Sequence, residues 1–265
     1  MSDRRYPTEI VVDGRVYAFE RVLTDAFYSV NVLYRHDDGR RQVLKLSDFR
    51  FILGRLVRPL AGLMSRHEFR VYSALAGIPG IPALGPRVGR NGYIHEFVEG
   101  RTLSEVTGDA LPDDFFDRLL AIYQAMHARR IVHVDSEKKG NIILGDDGRP
   151  YLLDFQISMA FREPGGRFGT WRERLFANLV KIDIYHVHKH KRNFRRDLMR
   201  PEDWALAERP RATRIYERGF GKHARWLKRR FYPSGSTEVV WSRGKKKADP
   251  GRDESRSGRP PSGRG

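Results

Sequence analysis

The sequence predicts an α+β protein with a β-rich first hundred residues, an α-rich remainder and a basic, low-complexity end. Three observations carry that expectation. Short β-prone runs separated by polar glycine turns fill the first hundred residues. Apolar positions recur at helical spacing from Asp113 onward. The last residues read WSRGKKKADPGRDESRSGRPPSGRG, which has too few apolar side chains to fold. The divisions expected are a β-rich unit over 1–98, an α-rich unit over 99–240 and a disordered basic tail over 241–265.

The elements follow in order. TEIVVDGRVYAFERVL holds two β runs around Asp13-Gly14, a pair that favours the tight turn of a hairpin. A second pair, SVNVLY and QVLKL, flanks the turn His36-Asp37-Asp38-Gly39, so an antiparallel meander is expected. Between Arg50 and Leu75 the pattern becomes helical, with Phe69, Tyr72 and Leu75 on one face. GIPGIPALGP over 77–86 cannot continue that helix and is expected as an ordered loop. YIHEFV, residues 93–98, is a further strand. Residues 113–130 form a helix, with acids at its start, His127, Arg129 and Arg130 at its end, and Phe116, Leu119, Tyr123 and Met126 along one stripe. Short strands at 131–132, 141–144 and 151–153 precede a helical stretch over 171–232, broken at Pro201 and Pro210.

Composition narrows the function. Lys and Arg number 50 against 33 Asp and Glu, a formal charge of +17 and a pI near 10.3. Nucleic acid, an anionic membrane or a phosphate-bearing ligand all suit that balance. There is no cysteine, which excludes disulfides, thiolate metal sites and a cysteine nucleophile. The opening MSDRRYPTEI lacks the apolar stretch of a secretory signal, and no window approaches a membrane span, so a soluble, cytoplasmic protein is expected.

The segment HVDSEKKGNIILGDDGRPYLLDF, residues 133–155, carries the chemistry. Its tight hairpin returns Asp154 to the neighbourhood of Asn141, so a carboxylate and an amide oxygen can face one ion. Few oxygen ligands of this kind suit Mg²⁺, which completes its shell with waters and substrate phosphates. Asp135, on the preceding loop, can accept a proton from an attacking hydroxyl.

These residues resemble the pattern of the protein-kinase superfamily. His133-Val134-Asp135, Asn141 and Asp154-Phe155-Gln156 match its H-x-D, Asn and D-F-G series, and Gln42-Val43-Leu44-Lys45 loosely matches its V-A-I-K strand. The resemblance runs from about Val11 to Lys191. It implies a bilobal fold with a small antiparallel β-rich N-lobe and a mainly helical C-lobe. It also implies ATP and Mg²⁺ as cofactors, Lys45 on the nucleotide phosphates, Glu68 as its ion-pair partner, and nucleotide contacts at Ser29, Glu96 and Val98. Asn141 and Asp154 would hold the metal; Asp135, with Lys138 or Lys139, would act on the transferred group.

The departures are specific. TDAFYS stands where a G-x-G-x-x-G loop is expected, Val134 holds the place of the loop arginine, and one extra residue separates Asp135 from Asn141. Gln156 replaces the glycine, and no A-P-E follows. In these respects the chain is similar to compact atypical bacterial kinases of the RIO and lipopolysaccharide (Kdo/heptose) type. Plainer readings stand beside the resemblance. Lys45 fits an edge strand; Glu68, at Ser-x-x-Glu spacing from Ser65, fits a helix cap; Lys138, Lys139 and Asp183 fit solvated charges, although Asp183 also suits a brace for the loop amides. His186, His188 and His190 lie among Lys189, Lys191 and Arg192, which favours a basic surface over a zinc site.

The function expected is an ATP-dependent phosphotransferase acting on a hydroxyl acceptor, either protein Ser/Thr or the sugar of a lipid-linked glycan. A pseudokinase scaffold and a basic nucleic-acid-binding protein are the alternatives. Residues 171–200 carry nine basic and three acidic side chains. They are expected either to meet an anionic membrane or acceptor through Lys189, Lys191, Arg192, Arg195 and Arg196, or to pack their apolar positions inward.

Overall fold

The computed structural model describes residues 6–25, 29–47, 54–165 and 169–210, and the side chains of all of these except 54–61. The tail, the helical reading beyond residue 210 and the centre of the TDAFYS turn lie outside the described residues.

The fold is α+β. Strands β1 (Glu9–Val12), β2 (Arg15–Asp25), β3 (Ser29–Arg35), β4 (Arg41–Ser47), β5 (Leu84–Val88) and β6 (Gly92–Glu96) form one antiparallel sheet in the order β1-β2-β3-β4-β6-β5. Asp13 and Gly14 both take positive φ, 49° and 74°, which is the twist a two-residue hairpin needs. Helix α1 (Gly54–Ala74) packs against β4 and β6 and buries Val71 and Tyr72. The expected loop over 77–86 is partly strand, because β5 starts within it. Its Gly85 and Pro86 are tolerated at the sheet edge, where β5 pairs only with β6 and the register slips between Leu84 and Arg87.

After β6 the chain enters a second group of elements. Strand β7 (Gly100–Thr102) precedes helix α2 (Phe115–Ala128), β8 (Ile131–Val132), β9 (Ile142–Gly145) and β10 (Pro150–Leu152). A small antiparallel sheet runs β10-β9-β7, and β8 pairs with β11 (Met159–Ala160). Helices α3 (Gly169–Phe194) and α4 (Pro201–Leu206) complete the described chain. Pro201 opens α4, at the one helical position where its missing N–H costs nothing. The largest apolar cluster runs from Tyr72 and Leu75 through Phe115, Leu119 and Tyr123 to Phe155, so α1, α2 and the β9–β10 hairpin share one core. Burying side chains such as Phe115 and Leu119 contributes about 1.5–3 kcal/mol each. Among the described residues no helix is long and apolar enough to cross a membrane.

Helix α3 corrects one reading. His186, His188 and His190 are buried, at 6, 3 and 2 % exposure, and do not form a basic surface. The helix packs against α2, α4 and β8, so residues on several of its sides face protein. The five basic residues considered for an anionic surface all make contacts within the chain; Lys191 is buried and Arg196 stays exposed. Lys191 meets Asp203 at 2.7 Å and Asp117 at 3.4 Å, Lys189 meets Glu137 at 2.8 Å, and Arg195 meets Asp113 at 2.6 Å. Arg192 donates to the Ala207 carbonyl, and Arg196 lies over Trp204. Leu175, Phe176, Leu179 and Val180 pack inward beside Val132 and Ile182.

The buried histidines make stability fall on acidification. Burial pushes His95 and His186 down to about 4. Their folded values lie below the ordinary value, so between pH 6.5 and about 4 the unfolded chain binds more protons and gains on the native state. Each costs the native state on the order of 3 kcal/mol once pH has fallen through that window. Thermal unfolding from pH 7.5 to 4.5 should show a Tm that drops by several degrees or more. A flat profile over that range would contradict the burial of these imidazoles.

Candidate functional site

Lys45 lies on β4 with only 5 % exposure, in register opposite Asn31 of β3 and Tyr93 of β6. Its Nζ donates to Glu68 Oε1 at 2.6 Å and to Asp154 Oδ1 at 2.9 Å. An ammonium this deep in the protein requires such pairing, because desolvation alone would discharge it. Burial works against the Lys45 charge, but Asp154 and then Glu68 outweigh it and hold the pKa above the ordinary lysine value. Burial pushes the fully enclosed Glu68 carboxyl up. Asp154 goes the other way: burial opposes its charge, yet Lys45 prevails and holds it down at about 2. Asp154 also keeps its side chain 27 % exposed, so an ionised oxygen remains open to a ligand.

Ser65 and Glu68 both sit well inside α1, which begins at Gly54, so neither caps the helix. Glu68 is fully buried because its turn of α1 faces β4.

Asp154 reaches Lys45 through the β9–β10 hairpin. Leu153 donates its N–H to the Asn141 carbonyl at 2.8 Å, which brings the two ends of the hairpin together, and Asp154 takes φ +64° immediately afterwards. Asn141 donates its side-chain amide to Asp135 Oδ2 at 3.2 Å, leaving its own oxygen as the free end. Lys138 forms an ion pair with Asp135. Lys139 does not join it; its ammonium lies over the Phe194 ring, 4.8 Å from the centroid. Two oxygen ligands, the free oxygen of Asn141 and the ionised Asp154, fit a hard divalent cation that draws its remaining ligands from water or phosphate. Among the described residues no group of three or more His, Asp or Glu forms a closed metal cage.

The loop carrying Asp135 is braced from beneath by Asp183 on α3, which is fully buried. It accepts from the His133 and Val134 backbone amides at 2.8 and 3.1 Å, the Ser136 hydroxyl at 2.6 Å and His127 Nε2 at 3.1 Å. Burial opposes its ionisation, but His127, the field of His133 and Ser136 together hold its pKa below the usual carboxylate range. This bracing keeps Val134 at φ +69°, a conformation costly for a β-branched residue, on the order of 1–3 kcal/mol. Of the two readings open for Asp183, the brace is the observed one.

The other expected nucleotide contacts are more scattered. Val98 is buried with Ile143 and Leu153, directly against the hairpin. Glu96 turns away: its carboxylate accepts from the Ala83 amide and its carbonyl meets His95 Nδ1. Ser29 begins β3 opposite Ser47, two positions along the ladder from the Asn31–Lys45 pairing. Sequence reasoning missed the aromatic column that joins these parts. Phe155 packs on Tyr72 of α1 at 5.0 Å and on His133 at 5.6 Å, and Tyr72 reaches His95 at 6.0 Å. A signal was present, since Tyr72 lies four residues after Glu68 and therefore on the same helical face.

No protein-family model matches this chain, and no curated protein matches it.

Proposed function

We propose that the protein is an ATP-dependent phosphotransferase of the kinase-like type, moving a γ-phosphate to a hydroxyl on a protein or on the sugar of a lipid-linked glycan. The single observation that carries this reading is the buried Lys45 held between Glu68 and Asp154. An arrangement of one ammonium, one fixed partner and one ionised, partly open carboxylate suits the binding of a metal–polyphosphate better than it suits stability. The six-stranded sheet with α1 and the helical second half are compatible with two lobes closing on a nucleotide.

In this reading Lys45 grips nucleotide phosphates as a point charge and Glu68 fixes its position. Asn141 and Asp154 would hold Mg²⁺, which when bound neutralises phosphate charge. Asp135 takes the proton of the acceptor hydroxyl, and Asp183 keeps the Asp135 loop in place through the His133 and Val134 amides. Lys138, beside Asp135, supplies positive charge where the phosphoryl group passes.

The test is Mg-ATP stabilisation followed by transfer from labelled ATP to cell fractions separated into protein and lipid-glycan. At a hundredfold excess over Kd, ATP should add about 2.7 kcal/mol to stability. Asp154→Ala should lose both the stabilisation and the transfer. Wild-type transfer by Asp154→Ala would overturn the assignment, and stabilisation without transfer to any fraction would leave a nucleotide-binding scaffold.

A further inference from the structure

We propose that the cleft between α1 and the β5–β6 edge is a second ligand site, one that binds a small molecule carrying two or more phosphate groups. The cleft has a volume of about 370 Å³ and is lined by Arg66, Phe69, Arg70, Arg87, Gly89 and Arg90. Four of these are arginines, two on α1 and two on β5 and the turn after it, and no carboxylate is among the lining residues. None of the four forms an ion pair among the described residues, whereas the buried lysines Lys45 and Lys191 are both matched by acids.

Each arginine has a structural reason to be there. Arg66 and Arg70 stand one turn apart on α1, so they share a face and repel each other. Arg87 leaves β5 toward them; its guanidinium lies over the Phe69 ring at 5.3 Å and donates to the Arg90 carbonyl at 2.6 Å. Gly89 takes φ +59° at the turn that returns Arg90 to the cleft. The cleft therefore concentrates like charge on a partly fixed frame, and a bound anion relieves that repulsion further than water and salt do. Guanidinium forks match phosphate oxygens in pairs, so four of them suit two phosphate groups better than one. The volume is that of a small-molecule pocket and not of a protein interface.

The site is separate from the one around Lys45. At roughly 100° per residue, Glu68 lies about 160° around α1 from both Arg66 and Arg70, on the side facing β4. Binding here does not depend on the phosphotransferase reading.

Calorimetric titration of the full chain with pyrophosphate, at constant ionic strength and without Mg²⁺ or nucleotide, tests the proposal. Wild-type protein should bind saturably at one site. Arg66→Gln with Arg70→Gln should weaken binding tenfold or more; both side chains are exposed, so the fold should survive. A charge-matched control, Arg15→Gln with Arg35→Gln on exposed strand positions, should bind as wild type does. Orthophosphate should bind at least tenfold more weakly than pyrophosphate. Equal weakening in the two double variants would mean non-specific attraction to a +17 chain and would overturn the site. Unchanged binding in the Arg66/Arg70 variant, or no saturable binding to wild type, would overturn it as well.

Discussion

Asp135→Asn should lower phosphoryl transfer by about 10²–10⁴-fold while leaving Mg-ATP affinity within a few fold of wild type. Asparagine keeps the shape of the side chain and can still accept the N–H that Asn141 now donates to Asp135. What it loses is the basic oxygen that would receive the proton of the acceptor. Lys45, Glu68 and Asp154 are untouched by the change, so the groups assigned to the nucleotide stay in place. The measurement is kcat together with ATP affinity by thermal shift. Unchanged kcat would remove Asp135 from the reaction, and an equal loss of ATP affinity would place it on the nucleotide instead of the acceptor.

Asp183→Ala should destabilise the protein by about 3–5 kcal/mol, whatever the reaction proves to be. Four donors converge on that buried carboxylate, two of them the backbone amides of His133 and Val134. Removing it leaves those groups unpaired and frees Val134 from the hydrogen bond that helps hold its left-handed conformation. Since a domain is stable by only about 5–15 kcal/mol in all, the loss would be a large share of the total. Urea unfolding of wild type and variant gives the number directly. A change below about 1 kcal/mol would mean that the loop carrying Asp135 is held by something else.

Much of this is readable in the sequence, and the reason is locality. The Asp13-Gly14 turn, the stripe of Phe116, Leu119, Tyr123 and Met126 on α2, and the return of Asp154 towards Asn141 depend on residues close together in the chain. Turn chemistry and periodicity act at that range, so they leave a signature in sequence. Strands β5 and β7 left almost none: one carries Gly85 and Pro86, the other is three residues beginning at Gly100. Each exists because a neighbouring strand offers its ladder, which is a property of the partner.

Other assignments needed contacts between distant parts of the chain. Ser65-x-x-Glu68 reads equally well as a cap or as an ion-pair partner. The choice falls to the second because α1 starts eleven residues before Ser65 and turns Glu68 onto Lys45. The alternating histidines of α3 read as surface because charged residues surround them in sequence. They are buried because α3 is packed on several sides, and the lysine between two of them finds an acid 52 residues away. Residue types and local spacing set which groups can ionise, turn or bind. Desolvation and Coulomb attraction act through space, so which lysine is held between two acids and which stays in water is settled only once the chain has brought those groups together.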